Sequence, residues 1–185
     1  MRIVAGSLKG RNLQAPPGSR TRPTSDRVRE AIFSIVGSLD GVAGTAVVDL
    51  FAGSGALGIE ALSRGAASVT FVEQDRDAVA TIRTNLAHLG LGGPQARLEL
   101  GDALAHLATA ADAAIVFADP PYGFEHWADL GAGLLGKGFG GLAVLESGTD
   151  IDLGGRWDVM RVKRYGGTVV TVAKPDSGPR MRGAR

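Results

Sequence analysis

The chain has no cysteine, two tryptophans, two tyrosines and three histidines among its 185 residues. Without thiols it can form neither a disulfide nor a thiolate metal site. His88, His106 and His126 lack the spacing of metal ligands, so no metal is expected. No apolar run approaches the ~20 residues of a membrane span, and no membrane partner is expected. Met1-Arg2-Ile3-Val4-Ala5-Gly6 carries one charge and no sustained apolar stretch, so we expect no secretory signal and a cytoplasmic location. The length suits one domain with one substantial core, and the absence of a recognisable dimerisation segment favours a monomer.

Net charge is also scarce, with 20 basic residues against 19 acidic, but the charges are segregated. Residues 1–29 carry Arg2, Lys9, Arg11, Arg20, Arg22, Arg27 and Arg29 against Asp26 alone. Residues 174–185 carry Lys174, Arg180, Arg182 and Arg185 against Asp176, which leaves the middle of the chain acidic. Two basic ends on an acidic body suggest arms for a polyanion on a body that binds something else, although the tail also reads as an ordinary solvated end.

Between residues 45 and 173 strands and helices alternate. Apolar and β-branched runs at 45–50, 68–73, 97–100, 113–118, 142–146, 157–162 and 168–173 predict seven strands. Leu57–Leu62 fits a helix, and Val79, Ile82, Leu86 and Leu89 mark a second, started by Asp75 and stopped at the glycines from 90 onward. The fold class expected is a doubly wound α/β, Rossmann-like sheet, mostly parallel. The last two strands are too close together for a parallel crossover and should pair antiparallel, which favours a methyltransferase arrangement over a dinucleotide-binding dehydrogenase. Before this body, Ile3–Ala5 and Asn12–Gln14 flank a basic turn and suggest a small β-hairpin. Thr24 or Ser25 can cap a helix from Asp26 to about Val36. The organisation expected is a basic hairpin extension over 1–22, a body over 23–174 and a basic tail over 175–185.

Asp49-Leu50-Phe51-Ala52-Gly53-Ser54-Gly55 lies where a strand turns into a helix, with glycines that let a ligand approach the backbone. The loop resembles a dinucleotide fingerprint but lacks its third glycine. Glu73, with Gln74 beside it, ends the second strand about 24 positions later, near the ~20-residue spacing of a ribose-binding carboxylate. Asp102, followed by Ala103, ends the third strand, where it could accept from an adenine amino group. Both carboxylates could instead cap the helices that follow them.

Asp119-Pro120-Pro121-Tyr122 follows the fourth strand. It could be a plain strand-ending turn, but it also suits a particular chemistry. The lone pair of an exocyclic amine on a nucleobase is conjugated into the ring. If the Asp119 carboxylate and the Pro120 carbonyl accept its two N–H bonds, the nitrogen can pyramidalise and attack a methyl sulfonium. The prolines stiffen that carbonyl, and Tyr122 offers a ring for stacking an extruded base.

This motif resembles the D/N/S-P-P-Y/F signature of amino-methyltransferases. Nearly the whole chain resembles the RsmD family of bacterial 16S rRNA guanine-N2 methyltransferases. The resemblance rests on Arg2–Gly6, Lys9-Gly10-Arg11, Arg22-Pro23-Thr24-Ser25-Asp26-Arg27-Val28-Arg29-Glu30-Ala31, Asp49–Gly58, Glu60–Gly65 and Phe71–Arg76. It implies a class I S-adenosylmethionine-dependent fold and methylation of the N2 of a guanine in 16S rRNA, of the guanine-966 type, within the 30S subunit or its assembly intermediate. Asp119, Pro120, Pro121 and Tyr122 would then hold the target base. S-adenosylmethionine would be bound by Asp49, Phe51, Gly53, Gly55, Glu73, Gln74, Asp102 and Ala103. Arg2, Lys9, Arg11, Arg20, Arg22, Arg27 and Arg29 would grip RNA. The same site could alternatively serve DNA or a protein amide.

Overall fold

The computed structural model describes residues 1–17, 25–176 and 178. Arg20 and Arg22, and the tail cations Arg180, Arg182 and Arg185, lie outside the described residues. Helix α1 (Asp26–Leu39) precedes β1 (Ala46–Leu50), α2 (Ala56–Ser63), β2 (Ser68–Glu73), α3 (Arg76–Leu89), β3 (Ala96–Leu100), β4 (Ile115–Ala118), α4 (Trp127–Gly136), β5 (Leu142–Ser147), β6 (Trp157–Tyr165) and β7 (Thr168–Pro175). The seven strands form one sheet in the order β3-β2-β1-β4-β5-β7-β6. The first five are parallel; β7 runs antiparallel to both β5 and β6. This is the Rossmann-like arrangement expected, with the chain's last strand reversed.

The capping residues act as their chemistry requires. The Ser25 side chain accepts from the Val28 N–H to start α1. Asp75 accepts from the amides of Asp77 and Ala78 to start α3, and Gly90 ends it in the left-handed conformation. Helix α1 runs to Leu39, beyond the Val36 suggested by its apolar residues. Helix α4 is absent from the sequence reading because Gly131, Gly133 and Gly136 weaken its helical signal. Packing explains Gly131: a Cβ there would lie 2.3 Å from the carbonyl oxygen of Leu153.

Strand residues alternate between two cores. Val47, Val69, Phe71, Phe117 and Val144 pack with α1, α2 and α3 on one face, whereas Val48, Leu50, Val116 and Leu145 pack with α4 on the other. The result is a sheet between two helical layers.

The N-terminal segment pairs through a single bridge, Arg2 with Asn12, in place of two regular strands. It is fastened to the body instead. The amides of Val4 and Ala5 donate to Glu60 Oε2 and Oε1 at 2.8 and 2.9 Å, the Leu8 amide donates to Ser63 Oγ, and Asn85 exchanges two hydrogen bonds with the Gln14 backbone. Ile3 and Leu13 are 1% and 5% exposed in the main core, and each such burial contributes about 1.5–3 kcal/mol.

Glu60, fully buried, also accepts from Arg64 Nε at 2.8 Å and lies 3.9 Å from Arg29 Nε. Removing Glu60 takes a partner from buried Arg29 and the acceptor from the Val4 and Ala5 amides, and breaking a buried ionic group in this way typically costs about 3–5 kcal/mol. Glu60→Ala is therefore expected to lower unfolding stability by about that amount in chemical denaturation. It should also make the first fourteen residues the earliest site of protease cleavage.

Candidate active site

Strand order reverses between β1 and β4, and in open α/β sheets ligands bind beyond the C-terminal ends of the strands at that point. A cleft of about 970 Å³ opens there. In-register parallel pairing explains what lines it. Leu50 is opposite both Val72 and Ala118, and Ala118 is opposite Leu145, so Phe51, Glu73, Asp119 and Glu146 come next at one level across four strands. By the two-residue period, Asp49, Glu73, Asp119 and Glu146 continue the face of Val47, Phe71, Phe117 and Val144, under α1 and the N-terminal segment. All four carboxylates border the cleft.

The loop after β1 is built for close approach. Gly53 and Gly55 have φ of 56° and 78°, conformations that favour glycine. Phe51 has φ of 59°, a strained setting for a large side chain that costs on the order of 1–3 kcal/mol and is typical of functional sites. Its ring meets Phe124 edge-on at 5.2 Å, and Phe124 in turn meets Trp127 at 5.0 Å. These rings give the cleft an apolar wall.

Glu73 Oε2 accepts from the Gly53 amide at 2.7 Å and Oε1 from the Asp75 amide at 2.8 Å. Each oxygen keeps a second lone pair, so the carboxylate ties the loop to β2 while bordering the cleft. Asp49 is 2% exposed and accepts from the Gly58 amide at 2.8 Å. Burial pushes its pKa well above the usual carboxylate range; the Gly58 hydrogen bond opposes the shift, and the nearby carboxylates of Asp119 and Glu73 add to it. A site this acidic and desolvated favours a cation.

The expected site residues divide into three groups. Asp49, Phe51, Gly53, Glu73, Gln74 and the Asp119–Tyr122 run share the large cleft. Asp102 borders an adjoining recess of about 460 Å³ that shares Phe51, Gln74, Pro121 and Tyr122, and its side chain accepts from the Ala105 amide. Gly55 caps α2 and Ala103 is buried in the second core, behind the lining. Tyr122 is 67% exposed at the mouth.

Of the cations expected on RNA, Arg2, Lys9, Arg11 and Arg27 are at least partly exposed. Arg29 is not. Its side chain is fully buried and donates to Asp26 Oδ1 and to the Arg2 carbonyl, so it cannot reach a phosphate and acts as a strut between α1 and the N-terminal segment. The signal was available: Arg29 shares a helical face with Ile32, Phe33 and Val36. Sequence reasoning also passed over Glu146, which stands next to last in an apolar strand as Glu73 stands last in its own. Asn85 was missed too; it joins the N-terminal segment to the cofactor-type loop through the Ser54 carbonyl.

A family model described as conserved hypothetical protein 95 matches residues 1–174. The chain belongs to that family. It is the RsmD family that the sequence motifs resemble. The ribosomal RNA small subunit methyltransferase D of Escherichia coli is 42% identical over 123 residues, a match spanning 66% of this chain and 60% of that protein. The same-named protein of Haemophilus influenzae is 37% identical over 128 residues, spanning 68% of this chain and 65% of its own length. Thus the aligned part covers less than two thirds of either relative. The solved structure of E. coli yhhF superposes with a TM-score of 0.82 at 34% identity, covering 95% of this RsmD-family chain and 98% of that one. A Salinibacter ruber RNA methyltransferase solved with S-adenosyl-L-homocysteine shares the fold at a TM-score of 0.66 and 22% identity, covering 86% of this chain and 97% of that one.

Among the described residues no group of three His, Asp or Glu side chains could hold a metal ion, and no helix is long and apolar enough to cross a membrane. The raised pKa of Asp49 sets a pH dependence. Its proton is held more tightly folded than unfolded, so the stability from that proton is complete below the ordinary carboxylate range. It is lost as pH rises toward the folded value. Asp49→Asn is expected to raise the melting temperature of the ligand-free protein at neutral pH and to flatten its decline from mildly acidic to neutral conditions, as read by thermal melts across that range.

Proposed function

We propose that this chain transfers a methyl group from S-adenosylmethionine to the exocyclic N2 of a guanine in 16S rRNA of the small ribosomal subunit, of the guanine-966 type. The observation that carries this reading is the placement of Asp119-Pro120-Pro121-Tyr122 at the end of β4, opening into the same cleft as the glycine loop, Asp49 and Glu73. The names of the relatives support an rRNA substrate, and that substrate accords with a cytoplasmic location.

The residues present fit the cofactor. A cluster of carboxylates suits its positive charge, the loop from Phe51 to Gly55 lets its body lie against the backbone, and Glu73 and Asp102 offer acceptors for hydroxyl and amino groups. S-adenosylmethionine, when bound, supplies an electrophilic methyl carbon on a sulfonium sulfur. The protein's own part is orientation and charge stabilisation. Asp119 and the Pro120 carbonyl hold the amine so that its lone pair points at the methyl carbon. As the C–N bond forms and the C–S bond breaks, positive charge grows on the nitrogen, where Asp119 stabilises it; the departing proton passes to water at the open mouth. Tyr122 stacks on the base, and Arg2, Lys9, Arg11 and Arg27 hold the phosphate backbone.

The direct test supplies labelled S-adenosylmethionine and small subunits from cells lacking the gene, then identifies the modified nucleoside by mass spectrometry. N2-methylguanosine at one site is the expected product; label appearing only in DNA or in a protein amide would replace this reading. Asp119→Ala should lower turnover by on the order of 10²–10³ while leaving cofactor affinity within about twofold. Replacing Arg2, Lys9 and Arg11 together should weaken RNA binding and reduce its salt slope by roughly one for each phosphate that the variant no longer neutralises. An unchanged slope would take the N-terminal segment out of RNA binding.

A further inference from the structure

Beyond adding to the negative charge of the cleft, Glu146 takes no part in the proposed methyl transfer, yet it is built into the same site. It is 4% exposed, continues the face of Val144, and borders the cleft together with Ser147 and Gly148. Because Ala118 is opposite Leu145, Glu146 stands level with Asp119 on the adjacent strand, with backbones roughly 5 Å apart. Its position is rigid. The main chain is paired with Val170 on the other side, and Ser147 Oγ donates to the Thr149 carbonyl at 2.6 Å, which holds the following turn. The ring of exposed Tyr122 borders Gly148, so stacking surface and carboxylate meet at one place.

We propose that Glu146 is a specificity-determining residue, which selects guanine by accepting the N1–H of the base whose N2 amine is held by Asp119. The inference rests on the methyl-transfer reading above and adds the basis of base choice to it. In guanine the exocyclic N2 amine sits beside a ring N1–H, so two neighbouring acceptors satisfy that edge. In adenine the ring nitrogen beside the N6 amine is a lone pair, and in cytosine the same holds beside N4. A buried carboxylate facing that lone pair meets an acceptor where guanine offers a donor, and the two repel. Asp119 and Pro120 alone would accept any of the three amines; a second carboxylate beside them rejects two.

2-Aminopurine probes this interaction, because it keeps the exocyclic amine of guanine but presents a lone pair at N1; its loss of O6 is the same for every chain compared. The experiment compares methyl transfer to small subunits reconstituted from rRNA carrying guanine or 2-aminopurine at the target position. The wild-type chain is expected to prefer guanine by roughly tenfold to a hundredfold in kcat/KM. In Glu146→Gln, whose amide can donate to the N1 lone pair, the preference should collapse to near one or reverse, and in Glu146→Ala it should shrink. The intrinsic reactivity of the two amines cancels when the preference is compared between chains. A purely structural role would lower both rates together and leave the preference unchanged, and that result, or a wild-type chain indifferent to the two bases, overturns the assignment. Should those two variants fail to fold in thermal melts, Glu146→Asp takes their place: drawing the carboxylate back by one methylene should shrink the preference, and an unchanged preference overturns the assignment. If the wild-type chain binds S-adenosylmethionine in calorimetry but methylates neither base, the methyl-transfer reading itself fails and this inference falls with it. N2 methylation of guanine with an unaltered preference removes only Glu146.

Discussion

In-register parallel pairing of β1 with β2 and β4, and of β4 with β5, is the constraint on which the cleft depends. Four segments of the chain end within two residues of one height, and the two-residue period turns Asp49, Glu73, Asp119 and Glu146 to one face. A slip of one residue in any of these strands would turn its carboxylate into the opposite core, where α4 packs. The apolar residues that specify the register therefore also position the chemistry. Val47, Phe71, Phe117 and Val144 can be buried on their face only if the acidic residues beyond them face the cleft.

Burying carboxylates at this edge is unfavourable in the free protein: desolvation raises the pKa of Asp49, and the neighbouring charges of Asp119 and Glu73 add to the shift. The fold tolerates the cluster by giving individual carboxylates backbone donors: Gly58 for Asp49, and Gly53 and Asp75 for Glu73. The same bonds set the shape of the loop after β1. A cationic ligand would relieve the remaining repulsion, so the electrostatics of this edge and its proposed occupant are complementary.

The N-terminal segment adds positive charge to this acidic body without being detached from it. Glu60 and Asn85 hold its backbone, Arg29 braces it from α1, and Met1, Ala15, Pro16 and Pro17 border the cleft. Lys9 and Arg11 remain exposed. A clasped segment presents its cations in a fixed relation to the cleft, which a loose tail of the same composition could not do. Holding a polyanion's backbone in register with a base-binding pocket requires such a relation.

Local sequence was sufficient for whatever depends on neighbouring residues. Seven strands, a cap at Thr24 or Ser25, the helix start at Asp75, the glycine loop and the Asp119–Tyr122 turn were all legible, because hydrophobic period and turn chemistry act over a few positions. Helix α4 was hidden because tertiary contacts, among them Gly131 against the Leu153 carbonyl, outweigh its poor intrinsic propensity. The basic character of residues 1–29 could be read from composition, but composition could not separate solvent-accessible Arg27 from buried Arg29, two positions away on the same helix. Nor could it show that Glu60 is a buried anchor or that Glu146 stands beside Asp119. Those facts arise from pairings between residues dozens of positions apart, which are decided only when the strands register and the helices close over them.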